Sequence, residues 1–190
     1  MELRNSIEER GFAIEIEVFA DEVLDRLLVE IDQLAPRRSR AGIRHALGLA
    51  PVATLSQSPL LIDRAREILG ASAFPYRATL FDKSPASNWL VVWHQDTALP
   101  LCSRNDSPGW GPWSIKEGIH YAHAPARALE QVLTLRVHLD DSTSGNGPLR
   151  VLPETHTLGV LSDDRIHDLS CTIGAVDCVA PKAGSWRYGR

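Results

Sequence analysis

The chain has 190 residues, of which 44% are hydrophobic and 23% charged, and a formal net charge of −4; that suits one ordinary globular domain with a sizeable core. It has no block of like charges and no apolar run near the ~20 residues of a membrane span, which argues against nucleic-acid and membrane partners. The charged start, MELRNSIEERGF, lacks the apolar centre of a signal peptide, and Cys102, Cys171 and Cys178 form no CxxC pair, so free thiols and a cytoplasmic location are expected.

Residues 1–10 read as a short helix, followed by an alternating piece, GFAIEIEVF. In DEVLDRLLVEIDQLA, residues Val23, Leu24, Leu27, Leu28, Ile31 and Leu34 fall at helical spacing behind an acidic first turn, which predicts an amphipathic helix. The stretch PRRSRAGIRHALGLAP reads as irregular, with Arg37, Arg38, Arg40 and Arg44 forming a solvated face or an anion contact. SPLLIDRAREILG predicts a second helix from Ser58 to Gly70. The character then changes. YRATLFDK, NWLVVWHQD, QVLTLRVHLDD, GPLRVLP and AVDCVAP are short β-prone runs between Gly-, Pro-, Asn- and Ser-rich turns. A long loop, CSRNDSPGWGPWSIKEGIHYAHAP, intervenes. The expectation is a single α+β domain over 1–190, a helical flank at 1–70 and a β-sandwich or barrel at 75–190.

The apolar run 89–93 delivers His94-Gln95-Asp96. In a strand, residues i and i+2 share a face, so His94 and Asp96 would project together with Gln95 opposite. An imidazole beside a carboxylate can supply two ligands of a 2-His-1-carboxylate iron site. By itself the spacing is weak evidence, and more often marks a histidine hydrogen-bonded to a nearby aspartate.

The surroundings add to it. LFDKSPASNWLVVWHQDTALPL, GWGPWSIKEGIHYAHAP, LEQVLTLRVHLDD and GNGPLRVLPETHTLG occur in this order. Together they resemble the phytanoyl-CoA dioxygenase family of Fe(II)/2-oxoglutarate oxygenases, over about residues 76–184. The resemblance implies a double-stranded β-helix (jelly-roll) core with helices packed outside. It implies Fe(II) as cofactor, with 2-oxoglutarate, oxygen and a small organic or acyl substrate as its partners. His94 and Asp96 match the first two iron ligands. Thr79, Lys83 and Arg136 match positions around the 2-oxoglutarate pocket, and Gln95 lies inside the iron motif. Each keeps an alternative: Lys83 as a loop lysine, Arg136 as the partner of a carboxylate such as Asp140 or Asp141. Trp110 and Trp113 close a substrate pocket or, the reading favoured here, pin the long loop.

His156 sits in LPETHTLG, which resembles the family's PGSH turn, so it is not taken as an iron ligand. Glu154 and Thr155 stand where Gly-Ser is usual, which predicts a looser turn. His120, His123 and His138 lack ligand spacing to the pair, although His138 shares a face with Arg136. In the family a later strand carries the third ligand, a histidine, and beyond it an arginine that holds the far carboxylate of 2-oxoglutarate. This chain closes on CVAPKAGSWRYGR, which does not read as a strand and contains neither. In a shifted codon frame WRYGR can become Val-Ala-Leu-Trp-Pro. The resemblance therefore implies a shortened, impaired oxygenase. The competing expectation is an inactive jelly-roll fragment or interaction module. A cupin-type isomerase, without an H-x-H cluster here, ranks last.

Overall fold

The computed structural model describes residues 2–34, 42–82, 91–182 and 185–188, the last group by backbone alone. The expected helices form where the apolar period and the end signals agree. Helix α1 is Glu2–Arg10, and α2 is Asp21–Leu34, with Asp21 and Glu22 in its first turn and Leu24, Leu27 and Ile31 buried. Leu24 is fully buried, worth roughly 1.5–3 kcal/mol for a leucine side chain. After a 3-10 turn, Ala46–Gly48, two helices follow: α3, Ala50–Ser56, and α4, Pro59–Leu69. Helix α4 has Pro59 at its first position and ends at Gly70, whose φ of 98° suits glycine. Helix α3 starts at the end of the stretch expected to be irregular and continues through residues for which no element was expected.

The strands are β1 (Phe12–Ala13), β2 (Ala98–Leu101), β3 (Trp113–Lys116), β4 (Ile119–His123), β5 (Leu133–Arg136), β6 (Leu149–Val151), β7 (Val176–Cys178) and β8 (Ser185–Tyr188). A helical turn α5, Ala126–Leu129, precedes β5, and α6, Asp163–Thr172, lies between β6 and β7. The strands form three antiparallel sheets, ordered β1-β8-β5, β2-β4-β3 and β6-β7. The chain is therefore α+β, as expected.

Burial reveals the layers. Ala13 and Leu133 pack with Ile7, Ile68 and Leu69, while Leu135 and Val137 pack with Phe19, Leu24 and Leu61. One face of sheet β1-β8-β5 thus meets the helices. Phe12, on the opposite face, packs with Val151 and Cys178 of the β6-β7 pair. Register places Thr134 level with Phe12 across β8, and alternation puts Arg136 on that same side.

Three expectations need correction. The long loop contains the β3-β4 hairpin, closed by Glu117 and Gly118, both at positive φ. Of the stretch YRATLFDK, the described residues 76–82 form no named strand; Leu80 makes a single bridge to Ile43. Gly42 permits that approach, because a Cβ there would lie 1.9 Å from the Leu80 carbonyl oxygen. The third concerns the closing residues, of which Ser185–Tyr188 are a strand, between β1 and β5.

Candidate functional site

His94 and Asp96 do not sit on a strand. Residues 91–97 are irregular and β2 starts only at Ala98; residues 88–90 lie outside the described residues. Alternation nevertheless survives in the side chains. Trp93 lies under the Arg150 guanidinium, 5.4 Å from ring centre to carbon, and Arg150 is held by Asp177 at 3.0 Å. The Gln95 amide donates to the Gly159 carbonyl and accepts from the Leu161 amide, both at 2.8 Å. Thr97 pairs with His123 Nδ1 at 2.7 Å. The odd residues fasten the segment to β6-β7, to the 159–161 stretch and to β4. That leaves the even residues, His94 and Asp96, to face outward together.

His94 Nε2 lies 3.5 Å from Asp96 Oδ1, and the side chains are 51% and 58% exposed. His94 Nδ1 is 2.8 Å from the Val92 carbonyl. A carbonyl only accepts, so the Nδ1–H donates and the Nε2 lone pair is turned to Asp96. Both ring nitrogens then face oxygen acceptors, and a cation or proton between Nε2 and Oδ1 satisfies them. Metal-bound histidines are fixed by this same device, an N–H given to a backbone carbonyl. Two cis donors at ~2.1 Å from one small cation lie about 3 Å apart, close to the observed separation. These two donors fit a divalent transition metal. Among the described residues, no group of three His, Cys, Asp or Glu side chains gathers as a metal site.

Tyr76, which the sequence reading passed over, joins this pair electrostatically. Burial raises its phenol above the ordinary value; Arg77 opposes this, and Asp96 and Tyr121 add to the rise. Tyr121 is 2% exposed, and its buried hydroxyl has no hydrogen-bond partner among the described residues. His45 lies 6.2 Å away, ring to ring, with its Nε2 buried, unbonded and 3.6 Å from Glu117. Alternation along β4 was the available signal for Tyr121, hidden while the hairpin was read as loop.

The other expected site residues are more scattered. Thr79 donates to the Arg44 carbonyl at 3.1 Å. Lys83 lies outside the described residues. Arg136 is half-buried on the inner face of its sheet. His138, two residues on, is buried, and its pKa is lowered first by that burial and then by the Arg136 charge. Gln95 spends both ends of its amide on backbone. Trp110 and Trp113 line an open groove with Arg104 and Pro108. His156 packs on Gly11, where a Cβ would come within 2.6 Å of its Nδ1, and its Nε2 is 3.1 Å from the Glu8 carbonyl. Its turn is well bonded, Thr155 donating to the Leu152 carbonyl at 2.8 Å.

Comparison with known proteins bears on what this arrangement is for. The chain is 26% identical over 122 residues to an L-proline trans-4-hydroxylase of Streptomyces griseoviridis, covering 61% of the chain and 38% of that protein. It is 25% identical over 167 residues to an ectoine dioxygenase of Bordetella parapertussis, covering 80% of the chain and 47% of that protein. The chain thus spans less than half the length of these curated relatives. The family model described as Phytanoyl-CoA dioxygenase (PhyH) matches residues 7–173, which include α2, the His94-Gln95-Asp96 segment and the hairpin. The chain belongs to the phytanoyl-CoA dioxygenase family.

Proposed function

We propose that this chain is a non-haem Fe(II)/2-oxoglutarate-dependent dioxygenase that hydroxylates a small organic or acyl substrate. The observation that carries the reading is the outward-facing pair, Nε2 to Oδ1 at 3.5 Å, with the imidazole already oriented by Val92. Family membership and the hydroxylating relatives support it. The three sheets would be parts of one jelly-roll domain with residues 1–70 as its helical flank, working in the cytoplasm, in keeping with three free thiols.

His94 and Asp96 would hold the iron, with Asp96 supplying the negative charge that favours a divalent ion. Bound iron would supply the oxygen chemistry: 2-oxoglutarate loses carbon dioxide to give succinate, one oxygen atom enters the succinate and the other a substrate C–H bond. Gln95, Trp93 and Thr97 keep the two ligands in place. Thr79, Arg136 and Lys83 are proposed to line the 2-oxoglutarate pocket, Arg136 as a cation on the inner face of its sheet. Two protein ligands hold a metal less tightly than three. We therefore propose weak iron binding and slow turnover for these 190 residues.

A second reading, a non-catalytic jelly-roll or interaction module, is favoured by the absence of a three-residue metal cluster among the described residues and by the half-exposed pair. Succinate release from 2-oxoglutarate by the purified chain with added Fe(II) separates the two. Slow release that stops on chelation supports the oxygenase; iron-independent background alone supports the module.

A further inference from the structure

Helix α6 carries a second pair of donor side chains, outside the motifs that carry the family resemblance. The helix turns Ile166 and Leu169 into the fold, so the opposite side of its wheel faces solvent. His167 and Cys171 lie on that exposed side, four residues apart and therefore one turn above the other. Their reactive atoms meet: Cys171 Sγ is 3.8 Å from His167 Nε2. A thiol is a weak hydrogen-bonding group, so this contact adds little to the fold. Around one tetrahedral ion, a thiolate at ~2.3 Å and an imidazole nitrogen at ~2.05 Å lie about 3.6 Å apart, close to the separation that the two side chains already hold. The charges nearby suit a cation. Exposed Asp164 stands three residues before His167, and exposed Asp168 three before Cys171. Arg165, two residues from His167, projects elsewhere on the wheel. Cys171 lies in the last turn, where unpaired carbonyls make the negative end of the helix. Imidazole with thiolate is a borderline-to-soft donor set, which selects zinc-class ions over the harder ions of oxygen-rich sites. Among the described residues no third donor closes on the pair, so water would complete the shell.

We propose that His167 and Cys171 form an open, two-residue site on α6 for a thiophilic divalent cation of the zinc class. The ion is held by the Nε2 lone pair of the neutral imidazole and by the Cys171 thiolate, whose proton it displaces to solvent. The probe is Co(II), a spectroscopic stand-in for Zn(II), titrated anaerobically into the full, reduced chain. The wild type should develop a near-ultraviolet thiolate-to-cobalt charge-transfer band, which added Zn(II) bleaches. Cys171→Ser should abolish the band, while Cys102→Ser, at the other exposed thiol, should keep it. His167→Ala should weaken binding about tenfold or more, since even the loss of a group behind a metal ligand costs roughly 10–100-fold. All three positions are exposed, so the variants should fold as the wild type does. Thermal unfolding gives a second readout: Zn(II) should raise the melting temperature more in the wild type than in Cys171→Ser. A band retained by Cys171→Ser, or an unchanged affinity in His167→Ala, overturns the site. So does a wild-type chain that shows no band with Co(II) in large excess, a result that leaves the iron reading of His94 and Asp96 untouched.

Discussion

His94 illustrates how much one backbone carbonyl can decide. With Nδ1 held 2.8 Å from the Val92 oxygen, the ring can neither flip nor change its neutral tautomer without losing a bond. Nε2 is thereby the nitrogen left facing Asp96. The closeness of His94 and Asp96 was legible in the sequence because their spacing is local. The burial of Tyr121 was not legible, since only packing reveals it. Glu154 is a different residue-scale case. It occupies a left-handed backbone position, φ 63°, where the family usually has glycine. The predicted looseness did not follow: the turn closes and the strain stays at Glu154. A non-glycine residue there costs about 1 kcal/mol. Glu154→Gly is therefore expected to raise stability by roughly that amount, read as a higher urea midpoint; an unchanged or lower midpoint would show that the strain is relieved elsewhere.

At the scale of elements, legibility followed periodicity. Helices α2 and α4 announced themselves by apolar spacing and end signals, and α6 did not. It buries only Ile166 and Leu169, and its clearest mark is Ser162, whose side chain caps Arg165, ahead of Asp163 and Asp164. The β3-β4 hairpin was missed because its turn uses Glu117-Gly118 rather than the usual Asn-Gly or Asp-Gly, although both residues adopt the required positive φ. The site segment was misread in the opposite sense. An apolar run promised a strand, but 91–97 is held by side chains instead of a ladder. That makes Gln95 the fastening on which the pair depends. Gln95→Ala removes two 2.8 Å bonds and leaves the Gly159 carbonyl and Leu161 amide unpaired. A loss of about 1–3 kcal/mol is expected, with weaker Fe(II) binding although neither ligand is altered. Unfolding and iron titration of the same variant check both halves; wild-type iron affinity would mean the segment holds its shape without Gln95.

The whole molecule places a helical layer, a mixed-order sheet and the β6-β7 pair in succession, with the candidate site where the 91–97 segment crosses from β6-β7 towards β4. Strand order was not readable from sequence. β8 inserts between β1 and β5, a pairing that brings chain positions near 12, 135 and 186 together, and no local pattern encodes such a contact. Family membership was readable, because it rests on several separated motifs in fixed order. Function then depends on whether the His94–Asp96 pair takes iron. Anaerobic equilibrium dialysis against Fe(II) tests this most directly, comparing the wild-type chain with His94→Ala and Asp96→Ala. Both side chains are half-exposed, so the substitutions should change stability by less than about 0.5 kcal/mol. The account predicts weak, saturable iron binding by the wild type that both variants lose; iron retained equally by all three chains would contradict it.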